Sequence, residues 1–94
     1  MRGYQNKILR AQQFLLESDV ISEPYLDDDG RLQRKATARE IMAYWQHKRN
    51  TKPGLKAATL AQIRSAFNTY ADRRASPGVV MEPYSERDMK AMRR

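Results

Sequence analysis

Three consecutive carboxylates, Asp27-Asp28-Asp29, followed by Gly30, form the densest set of metal-ligating side chains in the sequence. A calcium loop of the EF-hand type needs oxygen ligands at alternating positions and a closing Glu at the twelfth. Counted from Asp27 the twelfth residue is Ala38. Counted from Asp29 it is Glu40, but Arg31 and Gln33 then stand where ligands belong. Asp-Gly chemistry makes this stretch a surface turn instead, in which Tyr25-Leu26 and Arg31-Leu32 pair as a short hairpin or lie in a plain loop. The same carboxylates are conceivable ligands for a metal-dependent nuclease, yet the sequence sets no base or second ligand group opposite them. His47 is the only histidine and there is no cysteine, so a zinc site or a histidine acid–base pair has no partner to work with. His47 reads as a solvent-facing residue among Gln46, Lys48 and Arg49. No catalytic residue, metal site or cofactor is expected.

A different chemistry is written into Gly54 to Tyr70. Leu60, Ile63, Phe67 and Tyr70 fall at i, i+3, i+7 and i+10, a narrow apolar stripe on one helix face. Lys56, Thr59, Gln62 and, further round, Arg64 project away from it. They are long or hydroxylated side chains of the kinds that meet phosphates and base edges. Pro53-Gly54 breaks the chain just upstream, which gives this helix a defined start.

The charge pattern points the same way. Residues 1–47 hold seven Lys/Arg and seven Asp/Glu, whereas residues 48–94 hold eleven against four, which is the whole net charge of +7. Charge confined to one half makes a directed field suited to a polyanion such as DNA or RNA, with an acidic protein or a membrane surface as the other takers.

The elements that must position these residues are helical. Tyr4 to about Ser18 repeats apolar residues at Tyr4, Ile8, Ala11 and Leu15. Its polar side, with Gln5, Lys7 and Arg10, is either a solvated face or a second surface laid against DNA. Pro24 stops any continuation. Thr37-Ala-Arg-Glu40 has the spacing of a capping box and opens a helix over about 38–49, with Ala38, Ile41, Met42 and Trp45 inward and Tyr44 near the edge. Trp45 is a core anchor or, alternatively, a ring on which a base stacks. Asn50-Thr-Lys-Pro-Gly54 is a basic turn into the central helix, about 56–73, whose end at Arg73-Arg74 suits the helix dipole. Ala75 to Val80 is a linker. Ser85 caps a last helix, about 85–93, with Asp88 three residues on. Met89 and Met92 are its apolar contacts, and Arg87, Lys90, Arg93 and Arg94 crowd its other side. Four helices with uneven loops predict an all-α fold, a compact four-helix orthogonal bundle.

Ninety-four residues with 40% apolar content support one small domain with its own core. The absence of cysteine fits a reducing, intracellular compartment, cytoplasm with nucleoid or nucleus. No apolar run approaches the roughly 18 residues of a membrane span, and Met1 to Arg10 lacks the apolar core of a secretory signal. Neither a membrane nor a small-molecule substrate is expected as a partner.

The order of features resembles the core-binding, SAM-like domain of the tyrosine recombinases, the phage-integrase and Cre-like family. In that family a helix ending in a basic turn is followed by Gly-Leu-x-x-x-Thr, a helix of aliphatic-aromatic spacing, a Pro/Gly-containing linker and a short basic helix. Here those parts are Ile41-Met-Ala-Tyr-Trp45, Gly54-Leu55 with Thr59, Leu60-x-x-Ile63, Ser76-Pro77-Gly78, and Tyr84 to Arg94. The likeness covers about 37–94 well and the first helix loosely. The acidic turn at Asp27–Gly30 is not a feature the family requires.

The resemblance implies one side of a C-shaped clamp on double-stranded DNA, with two helices in the major groove. By position, Thr59 and Gln62 match residues that face DNA in the family, and Lys56 lies where phosphate is contacted. It implies a catalytic domain outside these residues and self-association on DNA. Tyr70 and Tyr84 are therefore not nucleophiles, and the chain alone is not an enzyme. In physical terms, Lys48, Arg49, Lys52, Lys56, Arg73 and Arg74 supply sequence-independent attraction, with Arg87 and Lys90 as further basic contacts, while Thr59, Gln62 and neighbouring Arg64 supply base reading. Two other readings stay open. One is a small helix-turn-helix regulator, although the turn before the central helix exceeds the 3–4 residues of that motif. The other is a protein-interaction module, a viral inhibitor or adaptor, docking on an acidic partner.

Overall fold

The computed structural model describes residues 2–93. It is all-α, with four helices: α1 Arg2–Glu17, α2 Ala38–Thr51, α3 Ala57–Arg73 and α4 Glu86–Ala91. Among the described residues there is no strand, only isolated bridges pairing Leu26 with Leu32 and Leu32 with Ala75. α3 packs on α1 and α2, and α4 docks on α2. Arg94 lies outside the described residues.

Each helix end has a local cause. α1 stops in a Schellman motif: the Val20 N–H reaches the Leu15 carbonyl at 3.0 Å and the Asp19 N–H reaches Leu16 at 3.2 Å. Asp19 takes the left-handed conformation, φ 58°, that glycine usually fills. α2 opens on the Thr37–Glu40 capping box, with both reciprocal bonds made. It runs two residues past the expected Arg49, with the Thr51 hydroxyl directed to the His47 and Lys48 carbonyls at 3.2 and 3.1 Å, and Pro53 then keeps Lys52 out of helix. Gly54 follows with φ 97°, a value that a side chain rarely adopts. α4 opens on Ser85 with Asp88 completing the second capping box, and it closes at Ala91, short of the expected end.

The core is one cluster. Ile8, Ala11 and Leu15 from α1 meet Ile41, Tyr44 and Trp45 from α2 and the full α3 stripe of Leu60, Ile63, Phe67 and Tyr70. Trp45 is fully buried, so its indole is a core anchor and is not free to stack on a base. Met92 is fully buried too, and Met89 and Met81 pack at the margin. The connecting segment contributes as much as a helix: Tyr25, Leu26, Leu32 and Ala36 are all buried.

That segment is a hairpin-like turn. The Asp27 N–H bonds the Arg31 carbonyl at 2.8 Å, and the Gln33 N–H bonds Tyr25 at 2.8 Å. Asp27 holds the turn with both oxygens. One accepts from the Asp29 and Arg31 N–H groups, each at 2.9 Å, and the other accepts from the Ser76 hydroxyl. The carboxylates that raised the question of a metal are thus turn chemistry, and among the described residues no group of three or more such side chains could hold an ion. Leu32 then ties the turn to the chain after α3, its N–H bonding the Arg74 carbonyl at 2.7 Å and its carbonyl accepting from Ser76 at 2.8 Å. Gln12 of α1 accepts from the Tyr25 and Leu26 N–H groups at 2.9 and 3.0 Å, which seats the turn on the first helix.

Candidate nucleic-acid interface

Four cations, Lys7, Arg10, Lys48 and Lys52, gather where α1, α2 and the start of α3 meet. On α1, Lys7 and Arg10 lie one turn apart with Gly3 and Phe14 on the same flank, as i, i+3 and i+4 spacing requires. On α2, Tyr44 and Lys48 stand at i, i+4 and face that flank, with Lys52 just past them at the C-cap. Lys7, Arg10, Tyr44, Lys48, Thr59 and Ile63 line a cleft of about 230 Å³ whose wall carries no carboxylate. A second cleft of about 450 Å³ continues from it, sharing Arg10, Tyr44 and Lys48 and adding Phe14, His47, Gln13, Glu17, Thr51 and Lys52.

The electrostatics of this groove are unbalanced. Among the described residues the ion pairs are Arg34–Glu40 at 3.3 Å and the exposed Arg73–Asp72 at 3.9 Å. None involves Lys7, Arg10, Lys48 or Lys52. Lys48 is half-buried, and its ammonium is held below its ordinary pKa first by desolvation, then by Lys7, Arg10 and Lys52. Cations crowded without counter-charge are relieved by an anion. Burial pushes the Tyr44 phenol up, so it keeps its O–H at neutral pH, and Lys48 Nζ lies 5.5 Å from its ring centroid. The Phe14 and His47 rings stack at 3.9 Å with planes 16° apart. His47 is therefore half-buried against a ring, and the expected free solvent-facing position is not what it occupies.

The expected interface residues do not all converge. Lys7, Arg10, Lys48 and Thr59 share the groove, with Lys52 at its edge. Gln5 does not join them: it lies on the opposite flank of α1, where its amide nitrogen approaches Gly30 of the acidic turn. Arg64, expected to flank Gln62 in base reading, is half-buried, with a guanidinium N–H directed 3.5 Å to the Met92 carbonyl at the end of α4. It ties α4 to α3. Gln62 is exposed one turn beyond Thr59, and Lys56 is exposed at the N-cap of α3 without a side-chain cap bond. Arg49 lines a separate hollow with Gln46, Asn50 and Pro53-Gly54. Arg73 and Arg74 sit at the far end of α3, about 20 Å from Thr59 at 1.5 Å per residue. Arg87 and Lys90 are exposed on α4 and line neither cleft.

Two tyrosines are structural. Tyr70 is buried in the α3 stripe. The Tyr84 hydroxyl donates to the Ala36 carbonyl at 2.7 Å, while Lys35 Nζ rides 3.8 Å from its ring centroid and donates to the Glu82 carbonyl. Sequence reading missed Phe14, Tyr44 and His47 as groove residues. Tyr44 and Phe14 had a signal in their i, i+4 spacing to Lys48 and from Arg10, whereas His47 had none.

No family model matches the chain, and no curated protein or solved structure shows significant similarity to it. No helix among the described residues is long and apolar enough to cross a membrane.

Proposed function

We propose that this chain is a DNA-binding domain of the tyrosine recombinase type, clamping duplex DNA through the α1–α2–α3 groove and having no catalytic activity of its own. The observation that carries the reading is the convergence of Lys7, Arg10 and Lys48 on Thr59 without a carboxylate among them. In this reading Lys7, Arg10, Lys48 and Lys52 neutralise backbone phosphates and release counterions. Thr59 and Gln62, one turn apart on α3, are the base-reading pair, and Lys56 at the helix start adds a phosphate contact. The outlying cations Arg49, Arg73, Arg74, Arg87 and Lys90 contribute a longer-range field that is screened within about 8 Å at physiological salt. A catalytic domain elsewhere, self-association on DNA and an intracellular setting belong to the same proposal.

A second reading has an observation of its own. Val80 is 94% exposed in the wall of a cleft of about 540 Å³ that Ala71, Ala75, Val79, Met81 and Pro83 line together with Lys35, Asn68 and Asp72, a mixed apolar and polar surface of the kind a protein-interaction module offers.

Fluorescence anisotropy of labelled duplexes of varied sequence, titrated across salt, separates the two. The five phosphate contacts of Lys7, Arg10, Lys48, Lys52 and Lys56 give a slope of log affinity against log salt of about −4.5, hence a loss of roughly 500-fold between 50 and 200 mM. Tight binding to a subset of duplexes with that slope supports the DNA reading. Equal and weak binding to every duplex, vanishing near physiological salt, sinks base reading by Thr59 and Gln62 and favours a protein partner.

A further inference from the structure

The two clefts of the groove differ in kind. The smaller is lined by the cations Lys7, Arg10 and Lys48 with Tyr44 and Thr59, and no carboxylate. The larger holds the stacked rings of Phe14 and His47, with Gln13 and Glu17 joined at 3.4 Å on its outer wall. Arg10, Tyr44 and Lys48 belong to both, so the clefts adjoin along those three side chains. Glu17 offsets part of the charge of Arg10, Lys48 and Lys52 in the larger cleft, so a phosphate is drawn more strongly to the carboxylate-free end. An aromatic ring is drawn to the other end, where His47 adds exposed surface to the Phe14 stack. In duplex DNA each base is covered above and below, so a base that stacks on protein rings must be unpaired.

We propose that the paired clefts take a single nucleotide with an unpaired base: its phosphate between Lys7, Arg10 and Lys48, its base against the Phe14–His47 rings. The inference rests on the nucleic-acid reading for its phosphate and goes beyond it for its base. Glu17 and Gln13 then stand at the base edge, where a carboxylate accepts from an exocyclic amine. The nucleotide belongs to a single strand, such as a frayed end or a bubble, and a free nucleoside monophosphate offers the same chemistry.

The test is an NMR titration of the whole chain with pyrophosphate, AMP, a deoxyadenosine octanucleotide and a blunt duplex, repeated on His47→Ala, His47→Leu and Lys48→Ala. The leucine variant keeps an apolar cover on Phe14 should the alanine variant lose its fold. Pyrophosphate is expected to shift Lys7, Arg10 and Lys48 while the Phe14 and His47 ring signals stay still. AMP and the octanucleotide are expected to move those ring signals as well. Loss of the His47 ring lowers octanucleotide affinity about tenfold and leaves pyrophosphate affinity unchanged, whereas Lys48→Ala weakens all three ligands. Binding of the octanucleotide with AMP too weak to detect assigns the nucleotide to a strand; binding of AMP alone assigns it to the free pool and removes support from the duplex reading. Tight duplex binding with silent ring signals, or equal octanucleotide affinity in wild type and both His47 variants, overturns the proposal and leaves the duplex reading standing.

Discussion

The Tyr25 hydroxyl donates to Glu40 Oε1 at 2.7 Å, joining the buried turn to the first turn of α2. The same oxygen accepts from Arg34 at 3.3 Å and from the Thr37 N–H at 3.4 Å. The Arg34 guanidinium covers the Tyr25 ring at 4.5 Å from its centroid. One carboxylate thus caps a helix and anchors a loop. Tyr25→Phe is expected to destabilise the fold by about 2 kcal/mol, the scale of a hydrogen bond to a charged group. Urea denaturation measures it; a loss under about 0.5 kcal/mol would mean that the ring alone holds the turn.

Asp27 links stability to pH. Its carboxyl is held below its ordinary value of 3.8 first by the Ser76 hydroxyl, then by the Arg31 N–H and, beyond the opposing cost of burial, the Asp29 N–H. A carboxylate with a lowered folded pKa contributes stability above the unfolded value and loses it as pH falls through the folded one. Acid unfolding is therefore expected to be less steep in Asp27→Asn below about pH 4. In Ser76→Ala the Asp27 carboxyl carbon should titrate closer to its ordinary value. An unmoved Asp27 titration in that variant would count against the Ser76 bond.

Asp19 sits where its backbone and its charge are both disfavoured, at φ 58° and beside the carbonyl end of α1. Asp19→Gly relieves the left-handed strain and the repulsion from the helix dipole, against the extra freedom glycine gives the unfolded chain. The expected net is a stabilisation of about 0.5–1 kcal/mol, with Asp19→Asn gaining a few tenths of that scale. Thermal melts of both variants decide it, and a lower melting point for the glycine variant would contradict the assignment of strain.

Lys48 sets stability against binding. It is half-buried beside Lys7, Arg10 and Lys52 with no carboxylate partner, and desolvation followed by those charges disfavours its charged form. Lys48→Gln is expected to raise the melting point of the free protein at low salt, by an amount that shrinks as salt screens the cluster. The same change is expected to weaken duplex binding and flatten its salt slope by about one unit. A variant that melts lower at every salt concentration would show that the cations do not strain one another.

Both capping boxes were legible because they are local: Thr37 with Glu40, and Ser85 with Asp88, need only a three-residue spacing and short side chains. The α3 stripe was legible for a related reason, since Leu60, Ile63, Phe67 and Tyr70 declare their face by period alone. The groove was legible in part. Gln5 and Lys7 stand two apart, as do Gln62 and Arg64, and residues at i, i+2 never share a helix face. That spacing could have parted Gln5 from the groove and Arg64 from base reading. Lys7 and Arg10 could be named only from their place on the polar side of the first helix, since the charge count by halves cancels them against acids that include Asp27, Asp28 and Asp29, placed by the turn on the opposite flank of α1. The Phe14–His47 stack arises only when α1 meets α2, and no local pattern announces it.

The two hydrogen bonds of Leu32, to Arg74 and from Ser76, set an order of events. A ribosome that has delivered only α1, the turn and α2 has made every residue of the first half but has nothing to fasten Leu32 to. Closing that long chain segment costs entropy before the contact returns anything. Completion of the core therefore waits for the C-terminal end of α3, and the N-terminal half is expected to remain open to protease until then. In the finished protein the Leu32 and Ser76 amides should exchange with solvent at one common rate, as parts of a single opening. Amides that exchange independently would show that the turn and the post-α3 strap come loose separately.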